Sequence, residues 1–233
     1  MKAQRLRFQY RLTPAAVTLG HRDIVNAWIA AVSNAGCSVA YSEGKRPAPQ
    51  VSLGAPLPQA VTSDCEFVDV HLSEAVDPAT VLGAVASGLP DGIEAVSVAE
   101  TSVGGPSLQT LVKWAEYEVQ VPRNGITSQD AEASVAALLS SEHLPIEHRK
   151  ENKVKRFDLR PLVLSLKIEC VDNDCLTLRM RLRAEPEATA RADQTVTALG
   201  LPPPSRIHRT MLHLADIPAA ITAYRKLGEP DTQ

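Results

Sequence analysis

Apolar and polar residues alternate strictly from Arg5 to Leu12, with Leu6, Phe8, Tyr10 and Leu12 on one side and Arg5, Arg7, Gln9 and Arg11 on the other. A period of two predicts a half-buried β-strand. The period then changes. "HRDIVNAWIAAVSNAG" sets Ile24, Trp28, Ala31 and Val32 on one stripe at helical spacing, and Gly36 stands where a left-handed cap would end the helix. "CSVAYS" and "CEFVDVHLS" (65–73) read as two further strands. "DPATVLGAVASGLP" begins with Asp77 as N-cap and Pro78 at the first helical position, and stops before Pro90. "GIEAVSVAETS" closes the unit as a strand, so the order is βαββαβ.

The cluster "TSVGGPS" (101–107) separates this from a second pass along the same plan. "LVKWAEYEVQV" reads as strand, and "TSQDAEASVAALLSSE" as a helix capped by Thr127 or Ser128. "RPLVLSLKIEC" and "CLTLRMRLRAE" form a hairpin about "VDND". A short helix "ADQTVTALG", a strand "SRIHRTMLHLA" and a closing helix "DIPAAITAYRKLG" complete the chain. Two interlocked crossovers with both helices on one face of an antiparallel sheet make a ferredoxin-like unit. The predicted fold class is therefore α+β, with two tandem ferredoxin-like units at 1–103 and 108–233 and a C-terminal helix in the second.

Composition narrows the chemistry. With 233 residues and 44% hydrophobic content the chain buries a core without staples. No apolar run approaches the ~18 to 20 residues of a membrane span, and "MKAQRLRFQYRL" lacks a signal-peptide core, so a cytoplasmic protein without membrane contact is expected. A net charge of −3 exerts no global pull on a polyanion, which leaves local clusters of Lys and Arg to do so. Among four cysteines there is no CxxC pair, and Cys170 and Cys175 have no third ligand near them in sequence. Phosphate-loop, dinucleotide, zinc-protease and serine-hydrolase signatures are all missing, so neither a cofactor nor a resident metal is expected.

Arginine on alternate strand positions is the strongest signal. Arg5, Arg7 and Arg11 share one face of the first strand, and Arg179, Arg181 and Arg183 share one face of the strand after the hairpin. On an uncovered sheet face such rows could grip a phosphate backbone through paired N–H groups. Equally, a solvated face needs charge, and Glu66, Asp69, Glu116 and Glu118 on neighbouring strands could neutralise the rows. Aromatics for base stacking are scarce, at 4% of the chain. A further basic run, "HRKENKVKRFDLR" (148–160), carries Lys150, Lys153, Lys155, Arg156 and Arg160 in an expected loop and strand. His21 and Asp23 open the first helix, where an imidazole could act as acid or base toward a phosphate, or where both are simply first-turn residues. Between regular segments lies "YSEGKRPAPQVSLGAPLP" (41–58), whose four prolines stiffen it and whose Lys45 and Arg46 make it basic. It is either a protruding binding loop or an edge-covering connection.

These segments resemble a radical SAM-linked domain family of unknown function, in which a strand and a "SHLDL" helix start lead to "YSQGFNPRPRLSFGPPLPVG" and "SEYLDVEL". "LGHRDIVNAWIAAV", "YSEGKRPAPQVSLGAPLPQ", "CEFVDVHL", "KVKRFDLRPLVLSL" and "PSRIHRTMLHL" carry the resemblance, which spans most of the chain. His21 and Asp23 are kept, while the Ser cap and the Leu before Asp are lost. "GKRPAPQ" stands for "GFNPRPR", without its aromatic, its Asn and one basic residue. The resemblance implies a radical SAM partner. This chain lacks the CxxxCxxC motif that would hold such an enzyme's cluster. The expectation is a non-catalytic module that binds RNA or a ribonucleoprotein as accessory to that partner. The alternatives are an RNA-processing enzyme using His21 and an adaptor that binds protein alone.

Overall fold

The alternation at the N-terminus forms a strand, β1 (Gln4–Leu12), whose Leu6, Phe8, Tyr10 and Leu12 are all buried. In the computed structural model, which describes residues 2–150, 153–215 and 225–226, the chain is a mixed α+β protein with mostly antiparallel strand pairing and few helices. It divides into two units, one formed by residues up to Val112 together with the chain from Leu214, the other by Lys113–His213. No helix among the described residues is long and apolar enough to cross a membrane.

In the first unit β1 is followed by α1 (His21–Asn34), β2 (Val51–Leu53), β3 (Val61–Leu72), α2 (Pro78–Gly88), β4 (Ile93–Thr101) and a single turn, α3 (Leu108–Leu111). The strands lie in the order β2–β3–β1–β4, and every neighbouring pair is antiparallel. The helical stripe read from the sequence is the buried one: Ile24, Trp28, Ala31 and Val32. Trp28 centres this core, with its ring 5.1 Å from that of Phe8 and 5.3 Å from that of Tyr10. Asp77 caps α2 by accepting from the Ala79 amide at 2.9 Å. One expectation shifts here. Residues 37–42 make only isolated bridges at Val39 and Tyr41, and the second strand is β2, inside the proline-rich segment, where Val51, Ser52 and Leu53 pair with Val70, Asp69 and Val68. Short as it is, "VSL" contains no proline, so each of its residues has an amide able to pair.

The second unit runs β5 (Val112–Pro122), α4 (Ser128–Ser140), β6 (Pro145–Lys150), β7 (Lys153–Asp158), β8 (Val163–Val171), β9 (Cys175–Glu185), β10 (Ala188–Thr189), α5 (Ala192–Ala198) and β11 (Arg206–Leu214). Its larger strands lie in the order β8–β9–β5–β11. With the β6–β7 hairpin and the two-residue β10 set aside, the strands of both units run second, third, first, fourth. Thr127 and Asp130 cap α4 reciprocally, each side chain bonding the other residue's amide. The basic run at 148–160 forms the small hairpin β6–β7. The helix expected over 216–228 falls outside the described residues except at β12 (Arg225–Lys226), a two-residue strand beside β4.

The polar face of β1 is where expectation and structure part. Arg5 and Arg7 were expected to project into solvent, yet they are 3% and 1% exposed. Asp69 lies directly opposite Arg7 on β3, and its carboxylate takes both guanidinium groups. Arg7 donates through Nε at 2.7 Å and Nη2 at 2.9 Å, and Arg5 donates through Nε at 2.9 Å and through Nη2. The loop after β4 folds its carbonyls onto Arg5, with Pro106 O at 2.8 Å and Gly105 O at 3.3 Å. Two cations thus share one carboxylate, and backbone oxygens take further donors of Arg5. Glu66 stands opposite Tyr10, on the face that carries the core.

Two stability predictions follow from this packing. Asp69→Ala leaves both guanidinium groups buried without their counter-ion and should cost about 3–5 kcal/mol in urea unfolding; a loss below about 1 kcal/mol would show that the cluster is solvated in solution. Gly92 has φ +91°, and a Cβ added there would sit 2.5 Å from the Ala16 amide nitrogen. Gly92→Ala should therefore destabilise by at least about 1 kcal/mol in the same assay, whereas an unchanged midpoint would refute this reading of the turn.

Candidate functional site

The arginine row of the second unit does face outward, but it is not free. Along β9, Leu178, Met180 and Leu182 are buried while Arg179, Arg181 and Arg183 alternate with them on the other face. Arg179 meets Glu169 at 2.5 Å and Glu118 at 3.2 Å, Arg181 meets Glu116 at 2.7 Å, and Arg183 meets Glu185 at 2.9 Å. Each such exposed pair adds little stability, yet together they cancel the field of the row. The shallow cavity here, about 390 Å³ and lined by Glu116, Ser165, Lys167, Glu169, Arg179 and Arg181 among others, carries both signs of charge.

The one large aromatic on that face is occupied too. The Trp114 ring stacks on His213 with centroids 4.2 Å apart and planes at 8°, and the Arg181 guanidinium lies 4.3 Å from its centroid. Since β9 and β11 flank β5 on opposite sides, both faces of the indole are covered and none is left for a base.

The other candidates divide. Arg11 is exposed at the end of β1, apart from the buried Arg5 and Arg7. His21 is exposed at the start of α1, and the Asp23 carboxylate accepts from the Gly20 amide at 2.9 Å, so it serves the helix end and does not orient the imidazole. In the β6–β7 hairpin, Arg156 pairs with Glu147, and Arg160 donates to the carbonyls of Leu139 and Val163. The side chains of Lys150, Lys153 and Lys155 lie outside the described ones. Cys170 and Cys175 flank their turn with both thiols toward Asp172, whose hydrogen bond pushes the Cys170 thiol up. The described residues contain no group of three His, Cys, Asp or Glu side chains placed to hold a metal ion.

Lys45 and Arg46 stand differently. They form the tip of a tight reversal whose arms are tied by the Tyr41–Pro49 bridge, by Ser42 N–H to Ala48 O at 2.8 Å and by Ala48 N–H to the Ser42 hydroxyl at 3.0 Å. Gly44, at φ +123°, makes the reversal possible. The base of the reversal is fastened to β3: Gln50 N–H donates to Ala40 O, Ala40 N–H to His71 O and His71 N–H to Gln50 O, at 2.8, 2.8 and 3.0 Å. Pro47 and Pro49 restrict the returning arm. At the tip, Lys45 and Arg46 are exposed and make neither an ion pair nor a side-chain hydrogen bond among the described residues. Glu43 is the one carboxylate between Tyr41 and Gln50.

Beside this reversal is a cavity of about 430 Å³ lined by Lys2, Tyr41, Ser42, Glu43 and Gln50. Tyr41 is 54% exposed, its ring turned outward because Ala40 before it takes the inward position. His71 lies close by, and burial first, then the charges of Lys2 and Arg5, push it below the usual imidazole value. Sequence reasoning found Lys45 and Arg46 but missed Lys2 and Tyr41. Only the pairing of the 39–42 segment against β3 brings these two beside the tip.

No curated protein matches the chain. Among solved structures it is similar to the crystal structure of a Cbf5–Nop10–Gar1 complex, at 12% identity and TM-score 0.49 over 88% of this chain and 48% of that one. It is also similar to an archaeal box H/ACA sRNP Nop10–Cbf5 complex, at 13% identity and TM-score 0.45 over 88% and 48%. The structure of an H/ACA RNP bound to a substrate RNA containing 2'-deoxyuridine matches at 13% identity and TM-score 0.44 over 88% and 47%. The chain spans about half the length of these solved chains, and at such scores none of them bears on its ligand. The family is plain, because residues 5–192 match the one described as "Uncharacterized protein conserved in bacteria (DUF2344)", and the chain belongs to it.

Proposed function

We propose that this chain is a non-catalytic binding module for RNA or a ribonucleoprotein, with the Tyr41–Gln50 reversal as its contact. The observation that carries the reading is the contrast in charge. Arg5, Arg7, Arg179, Arg181 and Arg183 are each held by a carboxylate, while Lys45 and Arg46 stand exposed and unpaired on a braced support. Unpaired cations keep their full attraction for phosphate, and a support already ordered gives up little entropy on binding. The radical SAM partner belongs to the same proposal and rests on sequence resemblance alone. The assignment of tandem ferredoxin-like units is part of the proposal too, and is supported by the shared strand order of the two units. Among the described residues His21 has no hydrogen-bonded partner to favour a catalytic reading.

The test is fluorescence anisotropy with a structured RNA over a salt series. Affinity should fall steeply with salt. Lys45→Ala combined with Arg46→Ala should weaken binding on the order of tenfold and flatten the salt slope by about 1.5, the contribution of two phosphate contacts. An affinity that ignores salt, or that survives the double substitution, would overturn the reversal as the contact, and no RNA affinity at any salt would favour an adaptor that binds protein alone.

A further inference from the structure

We infer that the cavity beside the reversal takes one unpaired base of a single-stranded RNA, stacked on Tyr41, with Lys2, Lys45 and Arg46 on the flanking phosphates. The inference deepens the proposed function and rests on it. Charge alone does not distinguish a duplex from a single strand, because both present phosphates. An aromatic face does, since a base can stack on a side chain only when it has left its own helix.

Tyr41 meets this requirement where Trp114 does not. Its ring is 54% exposed and has no ring or cation neighbour among the described residues, whereas both faces of Trp114 are filled. The cavity at its side, about 430 Å³, falls within the roughly 300–1,000 Å³ range of small-ligand sites and so has room for a nucleoside. Its lining supplies what a base edge needs. Gln50 offers an amide donor and acceptor, Glu43 an acceptor, and the Ser42 hydroxyl, which already accepts from Ala48, still has a proton to donate. Three cations against one carboxylate leave the rim positive. Flat stacking on one ring with a polar lining favours any unpaired base, and the rim selects a polyanionic backbone over a free nucleobase.

The experiment compares the full-length protein with Tyr41→Ala and Tyr41→Phe. The probes are a labelled oligouridine of about twelve nucleotides and an RNA duplex of similar length. The unaltered protein should prefer the single strand. Tyr41→Ala should lose on the order of tenfold on the single strand and little on the duplex, and Tyr41→Phe should retain binding. A 4-thiouridine in the strand should photocrosslink to the peptide that carries Tyr41. Equal affinity of Tyr41→Ala and the unaltered protein for the single strand, with the Lys45/Arg46 double variant still weakened, would overturn the stacking inference and leave the proposed function standing. Failure of the unaltered protein to bind either probe would overturn both.

Discussion

One carboxylate, Asp69, holds the first unit in register. It lies opposite Arg7 across the β1–β3 pair and opposite Ser52 across the β2–β3 pair, so the contact that aligns β1 also fixes the strand on which β2 is laid. A slip of one residue would turn Arg5 and Arg7 into the apolar core and Phe8 and Tyr10 away from Trp28. Burying an ion cluster contributes little net stability, because desolvation offsets most of the attraction. Its value is specificity: only one register gives both guanidinium groups their counter-ion. The loop 102–106 is drawn in by the same need, since its carbonyls satisfy the Arg5 donors that Asp69 does not reach.

From that register the geometry of the reversal follows. Gln50 and Ala40 bond to His71, two residues along β3 from Asp69, so the base of the reversal is built on the most constrained strand of the unit. The tip inherits a fixed direction. Its side chains, by contrast, have nothing to hold them. A rigid stem beneath unpaired cations and an exposed ring costs little to order on binding, which suits a recognition element.

The two units treat the same sequence device in different ways. Alternating arginines in β1 face Asp69 and close into the interior, whereas those in β9 face Glu116, Glu118 and Glu169 at the surface and become a neutral lattice around Trp114. Apart from Arg11 at the end of β1, neither row stands free. Lys45 and Arg46, at the tip of a connection, are exposed with no ion pair among the described residues.

The chain's own periodicities determined the elements. β1, α1, α2, α4, β5, β9 and their caps at Asp77 and Thr127 were legible because an apolar stripe or alternation, and a cap two or three residues from its partner, are local facts. Asp69, Glu116 and Glu118 were even named as the groups able to neutralise the arginines. Tertiary structure decided whether they do so, since a strand's polar face looks the same in sequence whether it meets solvent or a facing carboxylate. It also decided that "VSL" runs along β3 for three residues as the second strand while "CSVAYS" meets β3 only at an isolated bridge. The grouping of Lys2 and Tyr41 with Lys45 and Arg46 was invisible for the same reason: residues far apart in the chain become neighbours only through the long-range pairing of strands.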